Sequence, residues 1–147
     1  GQMLFFKDDI MVKRGDAEST KKMMLKCFKT LKDGISIAMF PEGTRSKNGC
    51  VNEFKEGAFI IAKKGRVPIL PIVVQGTWEA ENKGKMGLLN PNTFIMNILP
   101  EIPVEKIKEM GIRELCDYTH DMIYNKHREV SPWLYELAEA EEKEKNK

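Results

Sequence analysis

Pro41-Glu42-Gly43-Thr44-Arg45-Ser46 puts a carboxylate, two hydroxyls and a guanidinium on one short segment. Arg45 offers a planar, permanently charged fork that fits two oxygens of a phosphoryl group, and Thr44 and Ser46 can donate to the same group. Glu42 can accept a bond from a neighbouring hydroxyl of that ligand. Pro41 fixes its own φ and has no N–H for a ladder, while Gly43 permits a backbone conformation closed to other residues. The segment is therefore expected to be a stiff, sharply turned loop. On spacing alone two uses of it stand side by side: a grip for a phosphomonoester, or a strand-ending turn whose Glu42 and Arg45 pair with other surface groups.

Such a loop has to be held by regular elements. Ile35 to Phe40 is an apolar run between Gly34 and Pro41, which predicts a short strand buried on both faces that delivers the loop. Before it, Met23, Met24, Cys27, Phe28 and Leu31 recur at helical spacing with lysines between them, predicting an amphipathic helix over Ala17 to Lys32, capped by Asp16 and closed near Gly34. Leu4 to Phe6 and Ile10 to Val12 read as short strands. After the loop, Lys47-Asn48-Gly49 is turn chemistry, Gly57 to Lys64 reads as a helix stopped by Gly65, and Val67 to Val74 reads as a strand. Glu79 to Asn92 reads as an exposed loop, Thr93 to Leu99 as a strand, and Ile112 to Arg128 and Trp133 to Lys145 as helices, the last turning almost wholly to Glu and Lys after Leu137. These alternations predict a single α/β domain, a mixed sheet of short strands flanked by helices, over residues 1–130, with a charged helical tail over 131–147 whose last residues fray. Ligand chemistry in such folds sits on loops leaving the strand ends.

The 147-residue length suits one domain, and 41% hydrophobic residues suffice for a core. A net charge of +2 is too small to draw nucleic acid by bulk field, so any anion site must be local. Cys27, Cys50 and Cys116 form no C-x-x-C pair and are odd in number, fitting small core or surface thiols in a reducing compartment. No ligand cluster argues for a metal. No run approaches the roughly 20 apolar residues that span a bilayer, and no charged-then-apolar leader opens the chain. The opening Gly1-Gln2-Met3-Leu4-Phe5-Phe6, already inside an apolar run, reads as an amino-terminal truncation.

Phe40-Pro41-Glu42-Gly43-Thr44-Arg45-Ser46 resembles, at all seven positions, the glycerol-phosphate-binding motif of the 1-acylglycerol-3-phosphate (lysophosphatidate) acyltransferase family. Two further blocks stand in the family's order. Val67-Pro68-Ile69-Leu70-Pro71-Ile72 is similar to its Val-Pro-Ile-x-Pro block, and Ile10-Met11-Val12-Lys13-Arg14 lies where the family has a strand ending in an Arg that helps hold the acceptor phosphate. Relatives often place an acidic residue before that Arg; here it is Lys13. Lys55 matches a basic position often found after the main motif, and serves equally well as an exposed structural lysine. The resemblance covers about the first two thirds of the chain and fades after Pro100.

The family's His-x-x-x-x-Asp motif, in which His takes the proton of the attacking hydroxyl and Asp supports the imidazole, is absent. Five residues after His120 stands Asn125, and five after His127 stands Pro132. Both follow the phosphate motif, whereas the family's His precedes it, so both are read as ordinary helix side chains. The chain is then either a fragment that has lost its His/Asp motif and membrane-associating helices, or a relative that binds without reacting.

The resemblance implies a glycerol-3-phosphate acyltransferase-like fold and acyl transfer from acyl-CoA or acyl-carrier protein to lysophosphatidic acid, yielding phosphatidic acid. Arg14, Glu42, Gly43, Thr44, Arg45, Ser46 and Lys55 would form the acceptor-binding part, with no catalytic residue in the chain, no cofactor beyond the thioester co-substrate and no nucleic acid. It further implies a membrane surface as partner, at the cytosolic face or in an organelle such as the endoplasmic reticulum or a plastid. Glycerol 3-phosphate or another lysophospholipid as acceptor, or a non-catalytic phosphate- or lipid-binding module, are the alternatives. An interaction surface on the Ile112 to Lys145 helices is a third, resting only on a charged amphipathic pattern.

Overall fold

Residues 16–80 and 93–145 are described in the computed structural model. The strands expected at Leu4 to Phe6 and Ile10 to Val12, Arg14, and most of the expected Glu79 to Asn92 loop lie outside them.

The first helix, α1 (Ala17–Lys32), starts where the Asp16 carboxylate accepts from the N–H groups of Glu18 and Ser19, satisfying two donors that have no partner inside the helix. It ends as the apolar periodicity ends: Gly34 takes φ +77°, its N–H donates to the Leu31 carbonyl and that of Ile35 to Thr30. This double return is a Schellman closure, and it depends on Gly34 reaching the left-handed region.

Ile35 to Phe40, expected as a strand buried on both faces, is neither. Ile35, Met39 and Phe40 are exposed, Phe40 by 86%, and no strand is assigned there. A ladder needs a neighbour, and among the described residues the only two strands pair with each other elsewhere.

Helix α2 (Gly57–Gly65) buries Phe59, Ile61 and Ala62. Its expected stop at Gly65 falls one residue early. The residue in left-handed conformation is Arg66, at φ 54°, ψ 46°, while Gly65 serves close packing, since a Cβ there would stand 3.1 Å from the Leu31 side chain of α1.

The expected Val67 to Val74 strand is shortened to β1 (Ile72–Gln75), and the prolines explain it. Pro68 and Pro71 have no N–H to donate, so among the described residues the upstream pairing survives only as an Ile69–Ile102 bridge and a bond from Leu99 N–H to the Pro71 carbonyl. After the short α3 (Thr77–Ala80), β2 (Ile95–Ile98) pairs antiparallel with β1, Ile72 opposite Ile98 and Gln75 opposite Ile95. Val73 faces inward, whereas Ile72, Val74, Met96 and Ile98 share the outer face.

Helix α4 (Val104–Glu109), not expected from the sequence, buries Ile107. Its exposed carbonyl end is capped from another element: Lys63 Nζ of α2 donates to the carbonyls of Ile107, Lys108 and Met110. Helix α5 (Ile112–Val130) runs through the centre with Leu115, Cys116 and Thr119 buried, and Gln75 at the end of β1 donates to its Val130 carbonyl over 2.7 Å. Helix α6 (Pro132–Lys145) begins with Pro at a position where a missing N–H costs nothing, and its first turn packs Leu134 and Tyr135 inward. Two apolar clusters result. Phe54, Phe59, Ile102, Ile107, Leu115 and Cys116 form the larger, and Cys50, Leu134 and Tyr135 the smaller.

All three cysteines are buried, and burial pushes each thiol above its ordinary pKa because the thiolate would lose its hydration. A neutral acid held protonated in the fold stabilises it below the unfolded pKa, a contribution lost as pH rises towards the folded one. Unfolding free energy, followed by urea denaturation, should therefore decline above about pH 8.5. A disulfide-exchange reagent should label the cysteines slowly in the folded chain and all at once in denaturant. Rapid labelling without denaturant would contradict this burial.

Candidate active site

The Pro41 to Lys55 segment closes on itself. Gly43 N–H donates to the Phe40 carbonyl over 3.1 Å, a tight turn with Pro41 and Glu42 at its corners, and Gly43 takes φ +68°. Pro suits the first corner because its φ is already set, and only Gly enters that region without strain. At the far end Lys55 N–H returns to the Pro41 carbonyl over 2.9 Å, so the loop's two ends meet.

Inside this closure Glu42 Oε2 accepts from both the backbone N–H of Asn52, at 3.0 Å, and its side-chain amide, at 2.7 Å. Asn48 braces the next turn, its Oδ1 accepting from Ser46 Oγ at 2.9 Å and from Cys50 N–H at 3.2 Å. Gly49, at φ +81°, lets the backbone pass close to Leu134 and Trp78. Two side chains then pin the loop to the helices. Cys50 is buried with its thiol donating to the Leu134 carbonyl, and Phe54 is buried with its own carbonyl accepting from the Cys116 thiol.

Glu42, Gly43 and Ser46 are half-buried, while Thr44, Arg45 and Lys55 are exposed. The Lys55 chain lies over Gly43, its Nζ 3.2 Å from where a Cβ would stand. The structure thus brings Lys55 onto the turn that carries Glu42, and places a cation beside backbone that has no side chain to obstruct a ligand. Ser46 differs from the simple picture of a phosphate donor: its hydroxyl hydrogen is given to Asn48, leaving acceptor capacity only. Arg14 lies outside the described residues. Asn48 and Asn52 lie outside the motif yet brace its side chains. Asn48 had a signal in the Asn-Gly turn pair, whereas nothing local marks Asn52, ten residues from its partner.

The histidines sit on α5. His120 packs edge-on against Phe54 and stacks on Tyr124, and His127 Nδ1 lies 3.0 Å from the Tyr135 hydroxyl. Burial raises the Tyr135 phenol to about 12, so it is neutral at physiological pH and unsuited to act as a base. Among the described residues no group of His, Cys, Asp and Glu could hold a metal ion, and no helix is long and apolar enough to cross a membrane.

A family model described as Acyltransferase matches residues 2–75. The chain is 43% identical over 81 residues to the chloroplastic 1-acyl-sn-glycerol-3-phosphate acyltransferase BAT2 of Brassica napus, covering 55% of this chain and 24% of that protein. It is 34% identical over 144 residues to the 1-acyl-sn-glycerol-3-phosphate acyltransferase of Salmonella typhimurium, covering 96% of this chain and 56% of that one. The crystal structure of the 1-acyl-sn-glycerophosphate acyltransferase PlsC from Thermotoga maritima superposes with a TM-score of 0.67 at 28% identity, over 75% of this chain and 44% of that one. The chain therefore spans between about a quarter and about half of the length of these relatives.

Gly43→Ala should both strain the turn and press on Lys55. A loss of about 1–2 kcal/mol in unfolding free energy is expected from the left-handed φ alone. Gly57→Ala, where a Cβ meets open space, should cost nothing by comparison. Equal effects in a urea titration of the two variants would contradict the turn described here.

Proposed function

The chain belongs to the acyltransferase family, and from that premise we propose that it is the acceptor-binding part of an enzyme that acylates lysophosphatidic acid. The acyl group would come from a CoA or acyl-carrier-protein thioester. The free glycerol hydroxyl attacks the thioester carbonyl, the carbon–sulfur bond breaks, and the thiol leaves as phosphatidic acid forms. The hydroxyl proton passes by way of a general base, a role that no residue of this chain is assigned, to the departing sulfur.

The observation that carries this reading is the closed Pro41 to Lys55 loop, in a chain aligned over 96% of its length with a protein named 1-acyl-sn-glycerol-3-phosphate acyltransferase. Arg45 supplies a permanent positive charge for the acceptor phosphate, and Lys55 places an ammonium beside the same turn. Arg14 is assigned the same work by its place in the family's order of motifs. Gly43, having no side chain, and Thr44 let backbone N–H groups approach the phosphate. Glu42 accepts from the glycerol portion, and its half-burial strengthens that bond relative to open water. A lipid acceptor places the reaction at a membrane surface, on the cytosolic face or in an organelle.

In the whole protein Arg45→Ala should raise the acceptor KM and lower kcat/KM by the equivalent of about 2–4 kcal/mol, the loss of a charge-assisted bond to a held phosphate. A change of less than about twofold would overturn the role of Arg45. Against a panel of acceptors, activity should fall sharply when the phosphate of the lysolipid carries a head group. The 147-residue chain by itself should show no acyl transfer in a thiol-release assay, and turnover by it would place the base within this sequence.

A further inference from the structure

We propose that Asn52 is a positioning residue: it holds the Glu42 carboxylate in the one orientation that presents a free oxygen to the acceptor's glycerol hydroxyl. The inference rests on the reading of the Pro41 to Ser46 loop as the acceptor site, and adds to it a residue outside the motif.

Glu42 Oε2 receives two bonds from one residue, the Asn52 backbone N–H and the Asn52 side-chain amide. Both lone pairs of that oxygen are thereby used. Among the described residues Oε1 has no hydrogen-bond partner, so the carboxylate is anchored on one side and open on the other. Two backbone bonds also close the loop, from the Asn52 N–H to Glu42 and from the Lys55 N–H to the Pro41 carbonyl. The side-chain bond, the shorter of the two to Glu42 at 2.7 Å, adds a different constraint. It fixes the plane of a carboxylate whose long side chain would otherwise rotate, so that little orientational freedom is left to lose when a ligand arrives. Bonds to an ionised acceptor are strong enough to hold that plane. Lys55, lying over Gly43, supplies a cation beside the same turn for the ligand's phosphate.

The test uses the 147-residue chain and sn-glycerol 3-phosphate as probe, with binding followed by amide NMR shifts. Asn52→Asp keeps the side chain's shape and the backbone bond, but replaces the donor by a second carboxylate. At about pH 8 it should weaken binding about tenfold relative to wild type at the same pH, the scale of one charge-assisted bond. At about pH 5 the two carboxyls share a proton, the donor returns, and the gap to wild type should close. Asn52→Ala should show the same weakening at both pH values.

A loss in Asn52→Asp that does not depend on pH would mean that the donor to Glu42 plays no part in binding, and would overturn the proposal. So would wild-type affinity in both Asn52 variants while Glu42→Gln and Arg45→Ala bind weakly. If Glu42→Gln and Arg45→Ala bind as wild type does, or wild type gives no saturable shift, the acceptor-site reading itself fails and the inference with it.

Discussion

The return of the Lys55 N–H to the Pro41 carbonyl is the constraint on which the rest of the site depends. The run that leads into the motif, Ile35 to Phe40, has no ladder among the described residues to hold it. The motif loop must therefore be fixed from its own far end. Closing Pro41 onto Lys55 sets Glu42 opposite Asn52 and lays the Lys55 side chain across Gly43. One backbone bond thus decides which charged groups become neighbours.

That closure is useful only because its far end is itself immobilised. Phe54 enters the main core, nearly parallel to the Phe59 ring at 6.3 Å and edge-on to His120 at 4.9 Å, while Cys50 enters the smaller cluster beside Leu134. The loop is thereby fastened to α5 and α6 together, and α5 is tied to the sheet by Gln75 and packed through Leu115 and Cys116. Position travels from a tightly packed interior to an exposed charged turn. In an interior at crystal-like density a side chain has few alternatives, which is what a site needs from its support.

Elements whose causes are local were legible in the sequence. Helix α1 begins after Asp16 and ends at Lys32 as the cap and the periodicity required, and the Gly43 turn takes the positive φ that the Pro-Glu-Gly order implied. Elements whose causes lie elsewhere were not. A run such as Ile35 to Phe40 reads as a buried strand, but burial and pairing are supplied by neighbours, not by the run. Helix α4 has six residues, too few for a period to show, and its end is capped by a lysine more than forty positions away. Arg66 adopts the left-handed conformation next to a glycine that the pattern favours for it. The motif residues could be identified from their types, whereas Asn52 acquires its partner only when the loop closes.

The prolines that cut the expected Val67 to Val74 strand to four residues have a colloidal consequence. An uninterrupted apolar run of that length would be a template for the strands of other molecules, since a dry cross-β interface needs about six or seven consecutive residues. With Pro68 and Pro71 unable to donate, the continuous donor row begins only at Ile72. The same two rings that shorten the sheet thus deprive any fibril of its foothold on that edge.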